Sequence, residues 1–219
     1  DAMEAVENKD YDLAVLDGVM RAGNLESPDS HRLLDAYEAE IETRATRGLS
    51  ARREQVDRLA RDRPFPFCSA CCRGCVDTGR DLLHGMPYPD LYGLFIRGTA
   101  NAINALAAFD ALCPPRGSHR PETLLAGIDS RDPAVLEAIA GAPRWGNDND
   151  RADALGIALN ERRDRALRKV ASAAGLPPFA VCHVVRSLHH LDGARIGATL
   201  DGRAAGDPVG DSIGAVIGT

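Results

Sequence analysis

The chain has 219 residues, of which 44% are hydrophobic, enough for one or two domains with a buried core. Its net charge of −6, with both signs interspersed, argues against a nucleic-acid surface or an anionic membrane as the main partner. No apolar run approaches the ~20 residues that span a bilayer, and residues 1–12 do not resemble a signal peptide, so a cytoplasmic protein is expected.

The first third of the chain predicts a series of helices. Residues 1–22 predict a short helix, and Ser27, in front of a proline, predicts the cap of the next one. Gly48 is expected to interrupt that helix, and Ser50 to begin another, which Pro64 ends. Apolar residues at helical spacing mark its inner face: Leu33, Leu34, Tyr37 and Ile41.

The middle of the chain continues this pattern. Residues 66–79 are expected to form one helix, and residues 84–93 a loop rich in Gly, Pro and Tyr. An Ala-rich helix follows over residues 99–113. Short helices are predicted after Pro121 and after Asp132, whose side chain precedes a proline and caps the helix.

The longest helix is predicted to begin after Asn149 or Asp150 and to end at Gly175. Residues 144–150, just before it, place acidic and amide side chains at its N-terminus, where they cap N–H groups and complement the helix dipole. A metal site is the alternative, because clustered carboxylates bind hard cations. The basic residues 162–169 inside this helix are interpreted as a solvated face, with a polyanion site as the alternative.

Residues 179–188 form a nearly continuous apolar run with β-branched residues, typical of a strand buried on both faces. One strand cannot make a sheet, so its partners are expected elsewhere. The chain then becomes rich in glycine. It therefore divides into a helical portion, residues 1–178, and a strand with a glycine-rich turn segment, residues 179–219.

Four of the six cysteines lie close together, at Cys68, Cys71, Cys72 and Cys75. On one helix these offsets put all four on one face, where buried cysteine behaves as a small hydrophobe. A single helix cannot wrap four thiolates around one ion, so a buried stripe is favoured over a metal or redox site. A metal pair from His183 and His189 is a weaker alternative, since no acidic third ligand is evident.

The string Thr199-Leu200-Asp201-Gly202-Arg203 predicts a sharp turn with Asp-Gly at its centre. Such a density of glycine indicates backbone packed close to backbone or to a ligand, and an ordinary surface turn is the alternative. The surrounding glycines are Gly193, Gly197, Gly206 and Gly210.

Four segments, in order, resemble the glycyl radical enzymes, the family of pyruvate formate-lyase, glycerol dehydratase and choline trimethylamine-lyase. Residues 144–150 are similar to the family's P-K-Y-G-N-D-D-D segment. Residues 193–208 are similar to G-x-x-T-G-A-T-P-D-G-R-x-A-G-E-P, although Leu200 replaces a proline. Residues 66–81 resemble P-F-L-S-x-x-x-D-G-C-I-E-x-G-K-D, and residues 98–108 resemble G-x-A-N-x-x-D-S-L-A-A.

The resemblance implies an α/β, helix-rich fold, namely a barrel of ten strands in two halves. This chain is expected to be a partial segment of that barrel. It also implies a glycine that holds a backbone radical, installed by a radical S-adenosylmethionine activase, and a loop cysteine that attacks the substrate. Neither residue is expected here, because no R-V-x-G-Y-like motif occurs and no cysteine matches the active-site position. No catalytic, cofactor-binding or metal residue is therefore assigned. Thr199, Asp201 and Arg203 are predicted to line or brace the substrate side.

The first functional hypothesis is a segment of a larger glycyl radical enzyme that breaks C–C or C–X bonds of a small organic substrate. Its partners would be the remainder of the enzyme and the activase. The chain could also form a homo-oligomer, and neither nucleic acid nor a membrane is expected as a partner. No cofactor is expected in this chain, since the glycyl radical belongs to the complete enzyme. The alternatives are a non-catalytic remnant that binds a partner through exposed strand edges, and a cysteine-rich metal or redox module.

Overall fold

The structure is a computed structural model that describes residues 12–22, 29–85, 93–176, 178–183, 189–211 and 213–216. Helices dominate the described residues, and two short strands accompany them. In chain order the elements are α1 (Asp12–Arg21), α2 (Ser30–Asp62), α3 (Pro66–Ala70), α4 (Arg73–Thr78), α5 (Leu82–Gly85), β1 (Gly93–Ile96), α6 (Thr99–Leu112), α7 (Pro121–Ser130), α8 (Pro133–Ala140), α9 (Asp150–Ala173), β2 (Ala180–His183) and α10 (His189–Gly193).

Helix α2 is a single helix of 33 residues, so the predicted interruption at Gly48 is wrong, and α2 rather than α9 is the longer helix. A glycine inside a helix costs only about 1 kcal/mol, which packing along α9 offsets. The cap is Asp29, whose side chain accepts a hydrogen bond from the His31 N–H at 3.0 Å. The predicted cap, Ser27, lies outside the described residues.

The basic face of α9 is solvated at Arg165, Arg168 and Lys169, as predicted, and several of its side chains also pair with acidic residues of α2. Arg165 lies 3.1 Å from Glu38, and Lys169 lies 2.7 Å from Glu42. Arg162 also pairs with Glu38, at 3.0 Å. The reason is complementary spacing: acidic and basic residues recur at helical intervals on the two helices and meet where the helices run side by side.

Helix α6 is buried on all sides and is the centre of the fold. Every residue from Thr99 to Asp110 is buried, as expected for a helix rich in alanine and leucine. Its predicted bounds are confirmed to within one residue. The predicted caps of α8 and α9 are confirmed as well. Asp132 caps α8 by accepting from the Ala134 N–H at 2.8 Å, and Asn149 caps α9.

The predicted helix over residues 66–79 is broken into α3 and α4. The N–H groups of Cys71 and Cys72 bond to carbonyls three residues back, a tight turn that ends α3. Cys68 and Cys71 are therefore exposed while Cys75 is buried, so the predicted buried stripe of cysteines is wrong. No group of three or more His, Cys, Asp or Glu side chains within the described ranges could hold a metal ion.

Strands β1 and β2 pair in parallel, with Gly93 opposite Ala180 and Ile96 opposite His183. The apolar run at residues 179–188 thus does contain a strand, described as far as His183. Its partner β1 also lies within this chain. No strand was predicted there: β1 begins at Gly93, the last residue of the predicted loop, and continues to Ile96. Four residues are too short a run to show strand periodicity, and helices α6 to α9 separate β1 from β2 along the chain. Across the ranges given above, no helix is long and apolar enough to cross a membrane.

Candidate functional site

The string at residues 199–203 forms the sharp turn that the sequence predicted. The Gly202 N–H donates to the Thr199 carbonyl at 3.0 Å, and the Thr199 N–H donates to the Arg203 carbonyl at 3.1 Å. Gly202 has φ +92°, a backbone conformation that other L-residues rarely adopt. A glycine is therefore strongly favoured at position 202 of the turn.

The three predicted site residues point into the protein rather than into solvent. Thr199 is 0% exposed, Asp201 5% and Arg203 8%. The Thr199 hydroxyl donates to the Asp201 carboxylate at 2.6 Å and accepts from Nε of Arg203 at 3.2 Å. The structure thus brings the three side chains together in one hydrogen-bonded chain.

Arg203 connects the turn to the rest of the glycine-rich segment. Its guanidinium donates to the carbonyls of Asp207 at 2.6 Å and Ile196 at 3.2 Å, and also to that of Gly197. Burial lowers the pKa of Arg203, against the opposing effect of nearby Asp201 and Asp207. Arginine nevertheless stays charged in proteins, so these are charge-assisted bonds that fix the course of residues 193–207.

Asn101, on the buried helix α6, anchors the turn to the core. Its side-chain N–H donates to the Asp201 carboxylate at 2.5 Å, and its side-chain oxygen accepts from the Gly210 N–H at 2.5 Å. Asn101 was not among the predicted site residues, although it lies in the 98–108 segment that resembles the family. The available signal was an amide in an otherwise apolar helix, because a buried amide requires partners.

At two glycines of this segment, other atoms of the protein lie close to the backbone, where a larger residue would place its Cβ atom. A Cβ atom at Gly193 would lie 1.9 Å from the Asp207 carbonyl oxygen, and one at Gly210 would lie 3.0 Å from the Asn101 side-chain oxygen. Gly197, in contrast, has nothing within 4 Å of its Cβ position. The prediction of backbone packed on backbone is therefore confirmed at Gly193.

A pocket of about 670 Å³ opens on the outer side of the turn. Asp201, Gly202 and Arg203 line it, whereas Thr199 does not. Two arginines on the pocket wall bind carbonyls of the turn: Arg131 donates to Gly202 O at 2.9 Å, and Arg144 donates to Asp201 O at 3.3 Å. The turn thus forms one wall of a cavity lined by both charged and apolar residues.

Residues 144–150 combine the predicted cap with packing against the end of the described chain. Asn149 accepts from two N–H groups at the start of α9, which confirms the cap. The Trp145 indole N–H donates to the Ile213 carbonyl at 2.7 Å, and a Cβ at Gly146 would lie 2.7 Å from Cβ of Ala215. The segment therefore holds α9 and the glycine-rich segment together.

The histidines considered as a metal pair lie in different elements, His183 in β2 and His189 in α10. The side chain of His183 lies outside the described residues. The ring of His189 packs edge-on against that of His190, at a centroid distance of 5.7 Å.

Solved structures of longer proteins share this fold. The glycerol-bound B12-independent glycerol dehydratase from Clostridium butyricum matches with a TM-score of 0.82 and 22% identity, covering 92% of this chain and 28% of its own. Hydroxyproline dehydratase from Clostridioides difficile matches at 0.76 and 18%, covering 85% and 24%. A glycyl radical enzyme from Archaeoglobus fulgidus matches at 0.74 and 18%, covering 87% and 25%.

At these identities the likeness establishes the fold alone, and the chain spans about a quarter of the length of these proteins. The amino-acid sequence itself also matches a protein family. The pyruvate formate lyase-like family matches residues 19–181, which is most of the chain. The chain therefore belongs to the pyruvate formate lyase-like family.

Proposed function

We propose that the chain is a segment of a glycyl radical enzyme, a lyase that breaks a C–C or C–X bond of a small organic substrate. The observation that carries this proposal is the fit of 92% of the chain to the fold of glycerol dehydratase, together with the family match. The chain would supply helical scaffold and two neighbouring strands of the ten-stranded barrel. Residues 1–178 would form most of the scaffold, and residues 179–219 would contain the second strand and the turn.

In this proposal, the residues that carry the radical belong to the remainder of the enzyme. The chain contains no R-V-x-G-Y-like motif, and none of its cysteines matches the active-site position. The glycyl radical supplies hydrogen abstraction once the activase has installed it. This chain's residues would hold the barrel wall in place and keep water from that side.

Thr199, Asp201 and Arg203 would brace the substrate side rather than touch substrate. Each uses its polar atoms in hydrogen bonds within the segment or to α6. A substrate contact would require breaking buried, charge-assisted bonds, which is unfavourable. The wall facing the substrate would then keep one shape during the reaction.

The test begins with the mass of the native gene product, measured by immunoblot and mass spectrometry of anaerobically lysed source cells. A product several times larger than 23.4 kDa is expected. That product, incubated with a radical S-adenosylmethionine activase, S-adenosylmethionine and a reductant, should give the electron paramagnetic resonance doublet of a glycyl radical. A long product that gives no such signal under strict anaerobiosis would refute the proposal.

The substrate can be sought among compounds that the matched proteins handle. Glycerol and trans-4-hydroxy-L-proline are bound in two of these structures, and a further similar structure, from Roseburia inulinivorans, concerns 1,2-propanediol dehydration; all three compounds carry a hydroxyl that dehydration can remove. We expect the activated enzyme to lose its radical signal or release product with a compound of this hydroxylated class. If the enzyme acts only on substrates without a hydroxyl leaving group, it is not a dehydratase, although it would still be a glycyl radical enzyme.

A further inference from the structure

The pocket beside the 199–203 turn is lined by two arginines, Arg131 and Arg144, that form no ion pair with the aspartates of the same lining or with other described residues. Arg131 and Arg144 bind the carbonyls of Gly202 and Asp201, which are adjacent in the chain, so both guanidinium groups are held at the same turn. Neither arginine forms an ion pair with an acidic side chain in the described ranges, whereas four arginines elsewhere do: Arg97, Arg151, Arg162 and Arg163. Two neighbouring cations at one wall favour an anion between them.

The pocket also contains buried polar atoms without partners. Nη1 of Arg144 and Nδ1 of His189 are buried atoms with no hydrogen-bond partner among the residues that the structure describes, and both residues line the cavity. Leaving a charged donor buried and unpaired is unfavourable, so native proteins satisfy such groups with a partner or a ligand. Arg144 thus uses Nη2 to hold the turn, while its Nη1 has no partner among the described residues.

The acidic residues of the pocket do not fill this role. The Asp201 carboxylate is taken by Thr199 and Asn101, and Asp207 accepts from the Ala204 N–H at 3.3 Å. Asp211 is exposed and forms no ion pair with either arginine. Arg203, the third arginine of the lining, is directed at backbone carbonyls.

We propose that this pocket binds a small oxyanion, a free carboxylate or phosphate compound, through Arg144 and Arg131, with His189 as a further hydrogen-bonding group. A guanidinium nitrogen suits the planar carboxylate or a phosphate edge, and a neutral or protonated imidazole can donate through Nδ1. A cavity of about 670 Å³ accommodates a small metabolite with room to spare. The site does not depend on the radical chemistry proposed above.

Trp145, the single tryptophan of the chain, is the neighbour of Arg144 and reports on this wall. The experiment titrates the purified chain with inorganic phosphate and, separately, with acetate at constant ionic strength, following Trp145 fluorescence and heat. Saturable one-site binding of at least one anion is expected, and the tighter one identifies the ligand class. Absence of saturation for both by about 10 mM would overturn the proposal.

Arg144→Gln should weaken binding by at least about tenfold, since it removes a charge-assisted hydrogen bond. Arg131→Gln should also weaken it, and because Arg131 is exposed this variant serves if Arg144→Gln fails to fold. Arg120→Gln is the matched control: its side chain is 85% exposed and lies outside the pocket lining. Equal weakening by Arg120→Gln would mean nonspecific attraction and would overturn the site.

The same titration with the intact gene product identifies the source of the anion. Retained binding supports a free ligand. If the 219-residue chain binds the anion but the intact gene product does not, the pocket is filled by a carboxylate side chain from the remainder of the protein, and the proposal of a free ligand is overturned. Radical formation is measured separately, so failure of this site and failure of the proposed function give different results.

Discussion

At the scale of single residues, Asp12 connects four helices through one buried carboxylate. It accepts hydrogen bonds from the Tyr37 hydroxyl at 2.6 Å and the Thr99 hydroxyl at 2.7 Å, and pairs with Arg163 at 2.7 Å. Arg163 is 2% exposed, and burial beside Asp12 raises the pKa of Tyr37. The buried charges of Asp12 and Arg163 are therefore stable only together.

Asp12→Ala is expected to lower the free energy of unfolding by about 3–5 kcal/mol, because it leaves Arg163 buried without its counter-charge. Urea unfolding followed by circular dichroism measures this. Asp35→Ala is the control, since Asp35 pairs with Arg162 on the surface, where ion pairs contribute about 0–1 kcal/mol. Equal losses for the two variants would contradict the role of Asp12.

Asp110 should make stability depend on pH in the acidic range. Burial acts to raise its pKa, but hydrogen bonds from Arg151 and Ser30 outweigh this and hold the pKa below the ordinary value of 3.8. The ionised form is therefore favoured in the folded state. Its contribution is present above the unfolded pKa of about 3.8 and is lost as pH falls through the lower folded pKa.

Asp110→Asn is expected to cost about 1–3 kcal/mol at pH 7, because Arg151 loses its charged acceptor. The difference from the parent protein should shrink as pH falls below 3.8, where Asp110 itself becomes protonated. Urea unfolding at a series of pH values tests this. A difference that does not change between pH 7 and acid would show that charge is not the cause.

At the scale of elements, the 199–203 turn depends on one backbone conformation. Gly202→Ala is expected to destabilise the protein by about 1–2 kcal/mol, because φ +92° is unfavourable for alanine. Space does not limit the substitution, as the nearest atom to the new Cβ is Ile139 Cγ2 at 3.6 Å. Thermal unfolding measures the loss.

Gly197→Ala is the matched control for this turn. Gly197 lies on the same segment, has no positive φ and has nothing within 4 Å of its Cβ position. Its substitution should change stability by no more than about 0.5 kcal/mol. If both alanines cost the same, the loss would reflect general loosening of the segment rather than the conformation of Gly202.

The sequence predicted the start of a helix best where a capping side chain precedes it. Asn149 and Asp132 each accept from N–H groups one turn ahead, so the start of α9 and of α8 follows from nearby sequence. Gly48 and Cys71 show the opposite case. Helix α2 continues through Gly48, where it packs along α9. Helix α3 ends at Cys71, where the N–H groups of Cys71 and Cys72 bond to carbonyls three residues back.

At the scale of the whole molecule, three large apolar side chains near α3 and α4 face solvent. Phe65 is 46% exposed, Phe67 82% and Val76 62%. Exposed apolar side chains that are clustered in this way favour association. We expect the 219-residue chain to self-associate through this patch.

Phe67→Ser should shift the chain toward monomer in sedimentation or light scattering, with little loss of stability because the side chain packs on little else. Ile157→Ser, at a comparably exposed position on α9, is the control and should leave association unchanged. A chain that is monomeric at high concentration, or an oligomer that Phe67→Ser leaves intact, would contradict this expectation.

The sequence by itself determined the capped helices, the strand at residue 180, the Asp-Gly turn and the family, because these follow from short-range patterns of propensity, caps and motif order. Only the tertiary structure decided which polar groups meet. Asn101 reaches Asp201 across 100 residues, the basic face of α9 meets α2, and Arg144 joins Arg131 at one pocket. Such pairings are fixed by helix packing, in which residues distant along the chain become neighbours, and no local pattern encodes them.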